Sequence, residues 1–393
     1  MFIFFHKFNK KFKISVVLYN SFFRLTFSLF FITQGFVTAS LQAQNPYNNL
    51  LHNYADTNSC NKPVVEFQNM NFFKNFESFG KFAKGYTLFG YYAQAKAHFK
   101  ITKDVKLSGG VHLQKYFGNK GFKRMEPVYT LLWKPNKNFS LQFGTIEPET
   151  SGISDILYHT EIQLNEKPIN GFSIASHKEK FQSTTWLQWD DYIFWDSPYP
   201  EVFTAASVNR LSFFNTGGHK LTGRFEFTAK HTGGQINRTE ASVVTVLNGF
   251  LAADYEFKPN TYSKLQVFAG YTPSLNLAPQ KKMLYNSGHG FTSGAHAAIQ
   301  SYRFGLSYWY SHKWFSGDGN PLYSNISRHV EGYGQEKRAL LIGHFFKIFF
   351  IWEQIYAALN SDAYFDFYNH MLAYSYGFFM EIRLQKEIPT FKL

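Results

Sequence analysis

Between Phe89 and Phe117 the side chains alternate with a period of two, and the alternation survives one sharp interruption. Phe89, Tyr91, Ala93, Ala95, Ala97, Phe99 and Ile101 are apolar; Gly90, Tyr92, Gln94, Lys96, His98 and Lys100 fall between them. After Thr102-Lys103-Asp104 the pattern resumes. Val105, Leu107, Gly109, Val111 and Leu113 take one face, and Lys106, Ser108, Gly110, His112 and Gln114 the other. Successive side chains of a strand point to opposite faces, so this is an amphipathic β-hairpin. Setting Ile101 opposite Val105 keeps both apolar sets on one face. It also sets Lys100 against Lys106, and Gln94 rather than His98 against His112. Each arm exceeds the usual length of a soluble strand and matches the roughly 9–11 residues a tilted strand needs to cross a bilayer. A soluble sandwich could use the same hairpin, so the rest of the chain has to decide.

Charged residues are 17% of the 393, against about a quarter in soluble proteins, while aromatics reach 20%. Mean hydropathy is −0.28, and no apolar run approaches the roughly 20 residues of a spanning helix. The longest candidate, Leu340 to Ile351, is short and contains His344 and Lys347. Low charge without a hydropathy peak suits a transmembrane barrel, whose lipid and lumen faces cancel in any window. Lys7, Lys10, Lys11, Lys13 and Arg24 precede or border the apolar stretch Leu25 to Val37, and Ala39 and Ala43 are small. That is a secretory signal. Cleavage after Ala43 lowers the formal charge by five, from +13 to +8, so the basic balance does not argue for nucleic acid. Cys60 is the only cysteine; it excludes an internal disulfide and lacks a lipobox.

The links between alternating segments themselves alternate in length. Short ones fall near residues 102, 135, 178, 217, 259, 300 and 349, and long ones near 122, 158, 195, 237, 281, 324 and 367. Short turns at one end and longer loops at the other are the pattern of an outer-membrane barrel. The fold expected is therefore all-β: a transmembrane, up-and-down antiparallel β-barrel of about 16 strands. Fifteen segments follow Tyr86; Pro63–Met70 is expected to supply the sixteenth, with Phe72 to Ala83 irregular. Fourteen strands is the alternative if Phe291–Ile299 is a loop. The expected organisation is signal peptide 1–43, periplasmic lead-in 44–62, barrel 63–385 and periplasmic tail 386–393, with the long links outside the cell. Trp133 and Trp352 near short turns, and Trp189, Trp195, Trp309 and Trp314 near long loops, are expected to form interfacial girdles.

Phe72-Phe73-Lys74-Asn75, Gly110 to Tyr116 (GVHLQKY), His231 to Ile236 (HTGGQI), Asn320 to Ser324 (NPLYS) and Tyr374-Ser375-Tyr376-Gly377 occur in that order. Through these motifs the chain, from about Phe72 to its end, resembles a porin-like outer-membrane β-barrel family of Bacteroidota. The resemblance implies location and fold, and no particular activity. Many barrels end in an aromatic that closes the assembly signal; here Gln385 to Leu393 follow the last strong strand.

Ser287 and His289 within Asn286 to Gly290 have the residue types of a barrel lipase, and Asp190, Asp191 and His231 those of a rim protease. Nothing in the sequence pairs either set. The fourteen histidines show no metal spacing, and neither a metal nor a cofactor is expected. The residues expected to line a channel are Lys96, His98, Lys100, Lys106, His112, Gln114, Arg224, Glu226, Lys230, Asp254, Glu256, Lys264, Arg303, Glu381 and Arg383. Setting Phe257 opposite Ser263 puts Glu256 across from Lys264. The leading expectation is a non-enzymatic outer-membrane channel of a Gram-negative bacterium, passing small polar solutes with a weak preference for anions. Outer-membrane lipid, lipopolysaccharide and the barrel-assembly machinery are its expected partners. Two alternatives stay open: a barrel for hydrophobic or glycan ligands with a plugged lumen, and a barrel hydrolase.

Overall fold

The computed structural model describes residues 62–159, 161–165, 167–238, 243–278 and 283–388. The expected signal peptide, Cys60, the lead-in up to residue 61 and residues 389–393 lie outside the described residues. The strands are β1 (Val64–Glu77), β2 (Tyr86–Lys100), β3 (Val105–Tyr116), β4 (Arg124–Asn136), β5 (Phe139–Ile146) and β6 (Ile169–His177). They continue with β7 (Phe181–Asp191), β8 (Glu201–Thr216), β9 (His219–Gly233), β10 (Val244–Asn260) and β11 (Ser263–Asn276). The last are β12 (Ser287–Ile299), β13 (Tyr302–His312), β14 (Lys337–Trp352), β15 (Ile355–Asp366) and β16 (Met371–Glu387). Each pairs with its sequence neighbours, and β1 pairs with β16 to close a sixteen-strand barrel.

Two strand ends depart from expectation. β1 runs on to Glu77 and absorbs Phe72–Glu77, expected to be irregular. Met70, Phe72 and Phe76 are buried inside with Glu66, Gln68 and Lys74, while Phe67 is exposed outside on the face of Asn69 and Asn71, so both faces mix apolar and polar residues and the alternation is masked. β16 reaches Glu387 because the closing seam gives it a ladder partner, Val64 against Glu387. Lys386 and Glu387, expected in the tail, are therefore strand. On the long-loop rim, the irregular stretch expected over Phe72 to Ala83 shrinks to a link of residues 78–85, and the link near 367 is only four residues, 367–370.

The first hairpin has the expected register, Lys100 opposite Lys106 and Gln94 opposite His112. The β10–β11 pair does not: Glu256 sits opposite Gln266, and an irregularity between Phe257 and Asn260 shifts the register. Lys264 still reaches Glu256 diagonally and forms an ion pair. The girdle expectation divides. Trp189 and Trp195 are exposed, as are Trp133 and Trp352, but Trp309 and Trp314 are fully buried in the lumen.

A sixteen-strand barrel is wide enough for an aqueous channel, yet two links fold into this one. Residues 147–168 leave β5 after only eight strand residues, and residues 313–336 join them. Ile153, Leu157 and Tyr158 of the first link and Trp314, Leu322 and Tyr323 of the second pack with Trp186, Phe250, Trp309 and Ile342 of the wall. Tyr158 and Asp318 join the two links by a β-bridge. Buried loop backbone must find hydrogen-bond partners, and the wall supplies them. Arg210 donates to the carbonyls of Ser151 and Gly152 at 2.9 and 2.8 Å. Asn248 donates to Phe315 at 2.6 Å, and Arg338 to Leu322 and Ser324, both at 2.7 Å.

Candidate active site in the lumen

The sheet register lines up one row of inward positions across five strands: His296 on β12, Gly305 on β13, His344 on β14, Asp362 on β15 and Ser375 on β16. His344 Nδ1 lies 2.7 Å from Asp362 Oδ1. The other carboxylate oxygen, Oδ2, accepts from Ser375 Oγ at 2.9 Å and from Asn360 Nδ2 at 3.3 Å. A carboxylate on Nδ1 fixes the proton there and leaves Nε2 as the basic nitrogen. The serine hydroxyl is bonded to the aspartate and not to the histidine, so Ser375 is not placed as a nucleophile for His344 to activate. His296 stacks on Phe268 with ring centroids 5.0 Å apart and meets His344 edge-on at 6.4 Å. The glycine at 305 permits this: a Cβ there would stand 2.5 Å from His296 Cδ2 and 3.4 Å from His344 Cβ.

This row faces a cavity of about 480 Å³ between the wall and the inserted links. Phe76, Leu88 and Phe346 give it apolar surface, and Lys74, Arg303 and Arg328 give it cationic groups. Arg303 is one inward position below Gly305, opposite Phe346, with its guanidinium 5.4 Å from that ring. Glu161 of the first link forms an ion pair with Lys74 and accepts from the Tyr86 hydroxyl. Burial alone would raise the Glu161 carboxyl; Lys74, His159 and Tyr86 outweigh it and hold it below the ordinary carboxylate range.

The residues named as channel-lining occupy inward register positions; most fall in two clusters, Arg303 lines the cavity described above, and Gln114, Glu226 and Lys230 touch the links. Lys96 pairs with Glu66 at 3.0 Å, and Arg383 with Glu381 at 3.1 Å. Arg224 joins Glu226 and Asp254 at 3.3 and 3.2 Å. Glu226 is fully buried and accepts from the Ser154 amide at 2.8 Å; Lys230 pairs with Asp318. His112 bonds Gln94 at 3.0 Å, His98 bonds Ser108 at 2.8 Å, and Gln114 donates to the Leu164 carbonyl. Lys96, His98, Lys100 and Lys106 line a second cavity of about 580 Å³ at the short-turn end.

The other enzyme candidates from the sequence do not assemble. Ser287 and His289 belong to β12, not to a loop, and His289 sits on the outer wall beside Tyr271 and His312. His231 faces outward, stacked on Phe203 at 4.8 Å and bonded to Thr245, while Asp190 lies 4.0 Å from Lys230. Sequence reading missed His344, Asp362 and Ser375 as a group. Its only usable signal is a polar residue at an inward position on each of three successive strands, and that becomes visible only with the register. Among the described residues no three His, Cys, Asp or Glu side chains are grouped to hold a metal ion.

The barrel is similar to two outer-membrane protein structures, which establishes the fold alone. A loop L8 deletion mutant of OmpT from Vibrio cholerae matches with TM-score 0.50 at 11% identity, covering 82% of this chain and all of that one. OprD of Pseudomonas aeruginosa matches with TM-score 0.50 at 8% identity, covering 82% and 95%. No curated protein matches by sequence. A family model described as lipid A 3'-O-deacylase-type matches residues 55–391. Its name is that of an enzyme, which overturns the expectation of a barrel without catalytic activity. With the match spanning the whole barrel, the chain belongs to the lipid A 3'-O-deacylase-type family.

Proposed function

We propose that this outer-membrane barrel hydrolyses an acyl ester of an amphipathic, anionic glycolipid of the lipid A class, with His344 as general base. The observation that carries this reading is the His344–Asp362 pair facing a cavity with both apolar and cationic walls, in a chain of a deacylase-type family. His344 Nε2 takes a proton from a water as its oxygen attacks the ester carbonyl carbon. The oxyanion that forms needs a positive donor, and Arg303 supplies one from the adjacent register position. Collapse breaks the bond to the sugar oxygen, which recovers the proton from His344; the products are a carboxylate and a free hydroxyl. Asp362 holds the ring orientation and stabilises the imidazolium.

The test is fatty-acid release from lipid A by the purified, refolded barrel, read by mass spectrometry. His344→Ala is expected to lower the rate by about 10²–10⁴, the range for general-base loss. Release that is absent in the native chain, or unchanged in the variant, would sink the assignment. A second reading, passage of small anionic solutes, draws its support from the lysine-lined cavity at the short-turn end. In this reading the inserted links make the passage narrow and selective.

A further inference from the structure

The outer face of β1 is unusual for a surface in lipid. Asn69 and Asn71 stand near the middle of the strand and point outward; the register sets Asn71 between Tyr91 and Met380, and Asn69 between Ala93 and Ile382. Asn71 Nδ2 donates to Asn69 Oδ1 at 2.6 Å, and Asn69 Nδ2 donates to the Tyr92 carbonyl at 3.0 Å. Among the described residues this leaves Asn71 with an unused carbonyl oxygen and one unused N–H. Asn209, an outward asparagine on β8, differs: it accepts from Ser183 and donates to Ser207 and to the Phe225 carbonyl. Acyl chains offer neither donor nor acceptor, so an unsatisfied amide at mid-depth is costly.

An amide carries a donor and an acceptor side by side and is therefore its own complement. We propose that a second copy of this chain docks on the outer face of β1, across a two-fold axis at Asn71, with the two amides bonded reciprocally. A two-fold interface brings the same residue from each copy together. Beyond Tyr91 and Met380, which flank Asn71, the outer face is low: Ala93, Ala95 and Ala97 stand on β2, and Gly109 stands beside Ala97 on β3. Polar side chains joined across small residues are the usual glue of membrane interfaces.

Cross-linking tests it directly, in a Cys60→Ser background and in native membranes. Asn71→Cys is expected to give a disulfide-linked dimer, and Leu359→Cys, also mid-strand and outward but on β15, is not. Asn71→Leu, which improves the fit to lipid, should keep the heat-modifiable mobility of a folded barrel. In detergent it should weaken dimerisation by about 3- to 30-fold, the span found for single polar contacts between membrane helices. Equal cross-linking at both positions overturns the proposal. So does a native chain that sediments as a monomer with lipid bound, or a dimer that Asn71→Leu leaves unchanged.

Discussion

A histidine with one nitrogen bonded to a carboxylate has its tautomer and ring angle settled before substrate arrives, and that is what Asp362 does for His344. Asp362→Asn keeps the shape and removes the negative acceptor. We expect it to lower fatty-acid release by about 10⁴, the loss seen when a triad aspartate becomes asparagine. Ser375→Ala removes one of the hydrogen bonds that hold Asp362 and should cost about 10- to 100-fold at most, the scale of one bond to a charged group. Initial rates for the two variants separate the roles: a fall in Ser375→Ala as deep as in Asp362→Asn would make the serine a nucleophile. None of this was legible in the sequence. His344 stands out there only as a polar break in an apolar run, and its partners are 18 and 31 positions away. Alternation tells which face a residue takes; it does not tell which residue stands beside it. The Glu256–Lys264 pair makes the same point, since both were placed inward from sequence and a local shift in register changed who faces whom.

At the level of elements, the inserted links decide what the lumen is. Alternation reads well in β2 and β3, where one face is polar, and poorly in β1, where both faces carry aromatics. It says nothing about where a link goes. Trp314, Phe315, Leu322 and Tyr323 inside a link were the available signal, because four large apolar groups between strands need somewhere to be buried. The link 147–168 is tied to the wall through Glu161, Lys74 and Tyr86. Glu161→Gln leaves the Lys74 ammonium buried without this carboxylate, and we expect the link to lose about 3 kcal/mol of local stability. Because the folded-state pKa of Glu161 lies below its unfolded value, the tether is complete above the ordinary glutamate pKa of about 4.3. It is lost as pH falls through the lower folded value. Hydrogen exchange of the amides at residues 161–165 should therefore speed up on strong acidification in the native chain. In Glu161→Gln it should be fast already at neutral pH. Equal protection of the two chains at pH 7 would show that Glu161 is not the tether.

For the molecule as a whole, both described chain ends and the tight turns share one rim, and the long links share the other. With the long-link rim outside the cell, cysteines at Lys120 and Glu331, both exposed, should label in intact cells and one at Asn260 should not. Asn320, although on a long link, is buried in the lumen and should label poorly; strong labelling there would mean that the link 313–336 does not stay inside. The same packing governs conduction. An unobstructed sixteen-strand barrel carries ions steadily, but here the two links and the wall bury one shared apolar cluster across the lumen. The native barrel in a planar bilayer is therefore expected to show small or no steady openings. Replacing residues 316–331 with a short Gly-Ser link should raise the conductance, because it removes Leu322 and Tyr323 from that cluster. Lys100 and Lys106 face each other near the short-turn mouth, an electrostatically unfavourable pairing for the sheet that makes this mouth positive over about 8 Å at physiological salt. In the opened barrel, Lys100→Glu with Lys106→Glu should move the reversal potential toward cation preference, most at low salt, without loss of folding. In the plugged barrel the same pair should change little, since the resistance lies at the links. Large steady openings in the native chain would overturn the plug. A reversal potential that stays fixed in the opened double variant would show that ions bypass the two lysines.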